Sequence, residues 1–190
     1  MYIDRLPTPA LIVEESILRQ NREAMKNLLA GSGLSLRPHY KSHKCSALAK
    51  MQIADGACGM TCAKLCEAED LIDCGVEDVL IANQITDPRK LRRVAELAAD
   101  CRLTVCIDDA ENARALARAA REVGSTVHCL VEYEIGMRRC GVTTEQEVVA
   151  LASIIGNEKG LCFDGIQAYA GHISHTVSAA ERESCDAIFH

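Results

Sequence analysis

Short apolar runs alternate with longer amphipathic stretches along the whole chain. The runs lie at 10–13 (ALIV), 35–41 (SLRPHYK), 59–64 (GMTCAK), 78–83 (DVLIAN), 102–108 (RLTVCID), 127–134 (VHCLVEYE) and 163–171 (FDGIQAYAG), and their length and make-up predict strands. Between them, 16–30, 44–55, 65–74, 87–100, 109–123, 143–157 and 177–190 carry good helix formers at helical spacing. Boundary chemistry agrees. Ser16 precedes ILRQNREAM, Asp87-Pro88 opens RKLRRVAELAA, Asp108 precedes DAENARALARAAREV, and Gly75 and Gly124 follow predicted helices.

A regular strand–helix alternation implies a parallel sheet, either doubly wound or closed into an eight-fold βα barrel. A doubly wound nucleotide binder needs a G-x-G-x-x-G turn after its first strand, and this chain has none. The barrel is therefore the expectation. An eight-stranded barrel takes about 250 residues, and after the leading ALIV strand about six βα units can be counted, about two short of closure. No Pro- or Ser-rich linker divides residues 1–190. The chain reads as one incomplete barrel domain, the front part of a longer protein.

Composition narrows the function classes. The 190 residues are 48% hydrophobic and 25% charged, with a net charge of -6, ordinary for a globular protein and without the basic face that nucleic-acid binding requires. The N-terminus has no signal-peptide pattern and no segment approaches the about 18 apolar residues of a membrane span, so a cytoplasmic small-molecule protein is expected. The 11 cysteines are odd in number and sit mostly in predicted elements, which reads as buried thiols in a reducing compartment. Cys58, Cys62 and Cys66 recur every four residues, but without the close pairs typical of zinc sites.

Candidate chemistry gathers in LRPHYKSHKC, 36–45. On a strand, the side-chain period of two sends Arg37, His39 and Lys41 to one face and Leu36, Pro38 and Tyr40 to the other. In a barrel one face is the interior, and active sites form at the C-terminal strand ends. A lysine confined there beside other cations favours its neutral amine, suited to Schiff-base chemistry. The same residues, on spacing alone, also fit a basic solvated loop. Arg138 and Arg139 fit a surface pair on a strand-to-helix loop, Tyr169 a half-buried strand aromatic, and His172 and His175 loop residues or an acid/base pair.

The stretches TPALIVEESILRQN, LRPHYKSHKC, CAKLCEAEDLIDCGVEDVLIANQI, VEYEIGMRRCGV and GIQAYAGHISH, in order from Pro7 to Arg182, resemble the D-threonine aldolase and D-serine dehydratase family. That family consists of pyridoxal-phosphate enzymes with the (β/α)8 TIM-type barrel of the alanine racemase N-terminal domain. The resemblance implies that Lys41, the first lysine of RPHYKSHK, carries the cofactor, with Lys44 outside the site. It implies that Arg139 lies beside the cofactor with His39, that Tyr169 contacts its ring, and that His175 faces the substrate hydroxyl.

It further implies a lyase acting on β-hydroxy D-amino acids: an aldolase cleaving Cα–Cβ to glycine and an aldehyde, or a dehydratase giving an oxo acid. The family's divalent metal is bound nearer the C-terminus, and its Gly-rich phosphate loop follows a later strand; neither stretch is recognisable up to His190, and the C-terminal β domain is absent. A site formed by His172 and His175 with Cys140 or His39 is a weaker alternative for the metal. A homodimer is implied for the full-length protein. A non-catalytic pyridoxal-phosphate carrier and an inactive fragment are competing readings.

Overall fold

The computed structural model describes residues 3–173. Five strands, β1 (Met60–Cys62), β2 (Asp78–Ile81), β3 (Arg102–Ile107), β4 (Val127–Glu132) and β5 (Leu161–Gln167), pair in sequence order and all in parallel. Helices α1 (Glu15–Leu29), α2 (Ser46–Ala54), α3 (Leu65–Asp73), α4 (Pro88–Leu97), α5 (Ala110–Val123) and α6 (Glu145–Asn157) alternate with them. Sequential parallel neighbours joined by helical crossovers are the arrangement of a barrel wall, without the order reversal of a doubly wound sheet.

Capping chemistry sets the helix ends, with small departures from expectation. Asp87 accepts from the backbone N–H groups of Arg89 and Lys90 and Pro88 occupies the first turn of α4, as the sequence suggests. α1 is capped by Glu14, with Ser16 inside the helix, and α5 by Asp109 instead of Asp108. Thr144 and Glu147 form a capping box at α6. Gly124 ends α5 at φ 80°, a left-handed conformation that costs glycine nothing.

The strand period of two separates two faces. Met60, Cys62, Val79, Ile81, Leu103, Val105, Ile107, Val127, Cys129 and Val131 are buried against helix residues such as Leu71, Val94, Leu116 and Ile155, and form the core between sheet and helices. Truncating fully buried Leu116 to alanine removes about 2–5 kcal/mol of this packing. The opposite face carries Asp78, Leu80, Arg102, Thr104, Leu130 and Glu132, a mixed polar lining expected of a barrel interior that holds chemistry.

Two expected strands are corrected. Residues 10–13 form no strand; Leu11, Ile12 and Val13 are exposed, with no described strand alongside to accept their backbone groups. Residues 35–41 run beside β1 only as far as His39, through Cys58 N–H to Leu36 O (2.9 Å), Thr61 N–H to Pro38 O (2.7 Å) and a bridge from His39 to Thr61. Tyr40–Ser42 then turns into a 3-10 helix, because the His39 Nδ1 accepts from the Lys41 N–H at 3.3 Å and caps it. The predicted helix 177–190 lies outside the described residues.

The cysteine reading is corrected too. All ten described cysteines are unbonded, but only Cys62, Cys106 and Cys129 are buried. Cys58 and Cys66 are exposed while Cys62 belongs to the core, so the four-residue spacing does not bring the three together. No helix among the described residues is long and apolar enough to cross a membrane.

Candidate active site

An open cavity of about 590 Å³ lies over the C-terminal ends of the strands, lined by Arg37, His39, Lys41, Asn83, Glu132, Arg139, Gln167 and Tyr169 among others. It collects residues from five separate stretches of sequence. Although Lys41 is in the 3-10 turn instead of on a strand, it shares this cavity with Arg37 and His39. Lys41 is exposed, so the described residues do not supply the confinement expected of it.

Tyr169 is the meeting point. Its ring centroid lies 6.0 Å from Lys41 Nζ and 5.2 Å from Arg139 Cζ, both within reach of a cation–π interaction. Burial, and then the charge of Lys41, hold the His39 imidazole below its ordinary value, so it is neutral at pH 7. Lys44, in contrast, points away: its Nζ is 3.3 Å from Oε1 of buried Glu67, which also accepts the Ala63 N–H at 2.9 Å.

Arg37 has a role the alternation did not suggest. Its guanidinium reaches down to Asp78 through bonds of 2.7 and 3.1 Å and separates the upper cavity from a smaller one of about 340 Å³ beneath. Below it Arg102 binds both Asp78 (3.7 Å) and Asp164, whose carboxylate is also 2.9 Å from His128 Nδ1. Alternating charges thus close the floor.

Sequence reasoning missed Glu132. It is 4% exposed, the last residue of β4, and accepts from Gln84 Nε2 at 2.8 Å and from the Cys140 thiol at 3.2 Å, with Arg139 at 3.9 Å. Its place in VEYE, an acidic residue directly after the apolar run Cys129–Val131, was the available signal. Arg138 is held by its backbone, which sits at φ 52° and donates to Glu134 at 2.7 Å, while Arg139 alone of the pair lines the cavity. His172 packs against Gly136, where an added Cβ would lie 2.7 Å from the His172 Nε2. His175 lies outside the described residues.

Residues 13–188 match the family model for the alanine racemase N-terminal domain. The chain belongs to that family. Among curated proteins it is 35% identical over 178 residues to a D-threonine aldolase from Arthrobacter sp., and 36% identical over 181 residues to a 3-hydroxy-D-aspartate aldolase from Paracoccus denitrificans, in each case over 94% of this chain and 47% of the relative. A solved D-threonine aldolase from Filomicrobium marinum superposes with a TM-score of 0.93 at 39% identity, covering 96% of this chain and 49% of the other. A D-threo-3-hydroxyaspartate dehydratase from Delftia sp. HT23 gives 0.85 at 28%, over 97% and 48%. The chain spans about half the length of these relatives. Members of the alanine racemase N-terminal domain family share the barrel architecture found here, and the five-stranded parallel sheet with its helices is the corresponding portion of it.

The lining fits one end of a pyridoxal phosphate well. A primary amine on Lys41 meets an aldehyde's requirement, the Tyr169 ring offers a wall for a planar heterocycle, and Arg139 offers a cation. A phosphate calls for several backbone N–H donors in a turn or helix start, and none of the described stretches lining this cavity is such a Gly-rich turn. No group of described residues fits the implied divalent metal. Among the described residues the one convergent trio of possible ligands, His128, Cys162 and Asp164, lies at the floor, where Arg102 already neutralises Asp164. Cys140 and His39 are not drawn into any such group among the described residues.

Proposed function

We propose that this chain contributes the cofactor-bearing barrel portion of a pyridoxal-phosphate-dependent lyase acting on β-hydroxy D-amino acids, of the D-threonine aldolase type. The observation that carries this reading is the convergence of Lys41, Arg139 and Tyr169 on one cavity at the C-terminal strand ends, the place where a barrel of this class builds its chemistry. The aldolases among its relatives favour Cα–Cβ cleavage over dehydration, being 35% and 36% identical against 30% for a D-threo-3-hydroxyaspartate dehydratase.

When bound, the cofactor supplies an electron sink for the pair left on Cα when the Cα–Cβ bond breaks. The chain's own residues do the rest. Lys41 offers the amine that carries the cofactor, Tyr169 walls the site, and Arg139 adds a fixed positive charge beside that wall. His39, neutral at pH 7, lines the same cavity without adding a further positive charge. His175 is proposed as the group that takes the β-hydroxyl proton as the aldehyde leaves. A homodimer is proposed for the full-length protein.

The test is direct. The protein is incubated with pyridoxal phosphate, reduced with borohydride and digested; the label is expected on Lys41, and a label elsewhere overturns the assignment. Full-length protein is then assayed on D-threonine and D-serine with and without a divalent metal. Glycine and acetaldehyde are expected from D-threonine; an oxo acid in their place would make it a dehydratase, and no product from a Lys41-labelled protein would make it a carrier.

A further inference from the structure

Resting on that functional reading, we propose that Glu132 is a positioning residue: it sets the Arg139 guanidinium against the Tyr169 ring and so fixes the cation that the cavity presents beside Lys41. A carboxylate 4% exposed is costly to leave without partners, and this one is partnered by groups from two different loops. Gln84, after β2, donates to Oε2 at 2.8 Å; Cys140 donates to Oε1 at 3.2 Å, and Arg139 approaches that same oxygen at 3.9 Å.

Residues 139 and 140 are neighbours on the loop between β4 and α6, so one carboxylate oxygen bonds the Cys140 thiol and lies within ion-pair distance of the Arg139 guanidinium. That loop otherwise runs near the surface, with Arg139 half outside, Arg138 exposed and Met137 half-buried. Other anchors hold it by its backbone: Glu134 accepts the Gly136 and Arg138 N–H groups at 2.6 and 2.7 Å, Asp108 accepts the Gly141 N–H at 3.0 Å, and Val142 donates to the Glu132 carbonyl and accepts from the Glu134 N–H at 2.9 Å each. Among the described residues Glu132 is the acidic side chain within ion-pair distance of the Arg139 guanidinium. Because it terminates a rigid strand, it can place that cation better than a loop residue could.

The chain has only 4 tyrosines, so selectively labelled tyrosine ring signals can be resolved and Tyr169 assigned through Tyr169→Phe. Without any cofactor, Arg139→Gln is expected to shift the Tyr169 ring signals as the cation leaves its face. Glu132→Gln, which keeps the shape and an acceptor for Gln84, is expected to shift them in the same direction, and the double variant to match Arg139→Gln. Should Glu132→Gln fail to fold, Glu132→Asp retains the charge on a shorter stem and is expected to shift the signals part of the way.

With cofactor, Glu132→Gln and Arg139→Gln are each expected to weaken pyridoxal phosphate binding about tenfold, with the double variant no worse than Arg139→Gln alone, as for two residues acting as one unit. Unmoved Tyr169 signals in a folded Glu132 variant, or losses that multiply in the double variant, overturn the inference. If wild-type protein takes up no pyridoxal phosphate at Lys41, the functional reading fails while the Tyr169 signals still decide the role of Glu132.

Discussion

Arg37 grips Asp78 through two parallel bonds, of 2.7 and 3.1 Å, beneath the cavity that holds Lys41. The pair ties the segment leading to Lys41 onto β2, 41 residues away in sequence, and the route between them passes over Gly59. A Cβ there would sit 2.1 Å from Arg37 Nη1 and 2.6 Å from the Asp78 carbonyl oxygen. Overpacking of this kind costs about 1–3 kcal/mol. Gly59→Ala is therefore expected to lower stability in urea by about that amount, and an unchanged midpoint would show that the Arg37 arm lies elsewhere.

Lys41 and Lys44 provide a paired comparison. Lys44 is committed to buried Glu67 while Lys41 stands at Tyr169. Lys44→Ala is expected to keep borohydride labelling at position 41 and to lose about 1 kcal/mol or less of stability, since its amine is well exposed. Lys41→Ala is expected to abolish labelling with stability unchanged. Peptide mapping and denaturant titration read both.

The His39 imidazole is expected to titrate below its ordinary value of 6.5, first from burial and then from Lys41. The unfolded chain then binds more protons than the folded one as pH falls through that range, so this residue contributes stability at neutral pH that is lost on acidification. Lys41→Met removes the like charge and should move the His39 titration upward in ring-proton NMR spectra. A downward or absent movement would separate the two side chains.

At the floor, His128 and Arg102 overcome the burial of Asp164 and hold its carboxyl below the ordinary value of 3.8. A depressed carboxyl stabilises the fold above its unfolded value, and that stability disappears as pH falls through the folded one. Asp164→Asn should therefore be less stable than wild type by about 1–2 kcal/mol at pH 7, with the gap closing only below the ordinary aspartate range. Thermal melts across pH 7 to 2 check the sign.

Much of the fold was legible because it rests on local chemistry. The six described α-helices overlap the stretches that periodicity marks, two of them with caps shifted by one or two residues, and Asp87-Pro88 and Gly124 act as their types dictate. The exceptions have a common cause. Residues 10–13 have strand composition yet stay unpaired and exposed, because pairing needs a neighbour and no described strand offers one. Alternation put Lys41 on a strand face, but a single capping bond from His39 turned the chain one residue earlier.

The same division runs through the site. By itself the sequence determined the βα order, the residue types in RPHYKSHK, EIGMRRCGV and QAYAGHISH, and through them the resemblance to pyridoxal-phosphate lyases. Only the tertiary structure decided that Arg37 serves the floor, that the Arg139 guanidinium stands 5.2 Å from the Tyr169 ring, and that Glu132 lies behind them. Local spacing governs which face of an element a side chain leaves from. Which partners a long cation or a buried carboxylate finds depends on segments tens of residues distant, brought together only when the parallel strands align their ends.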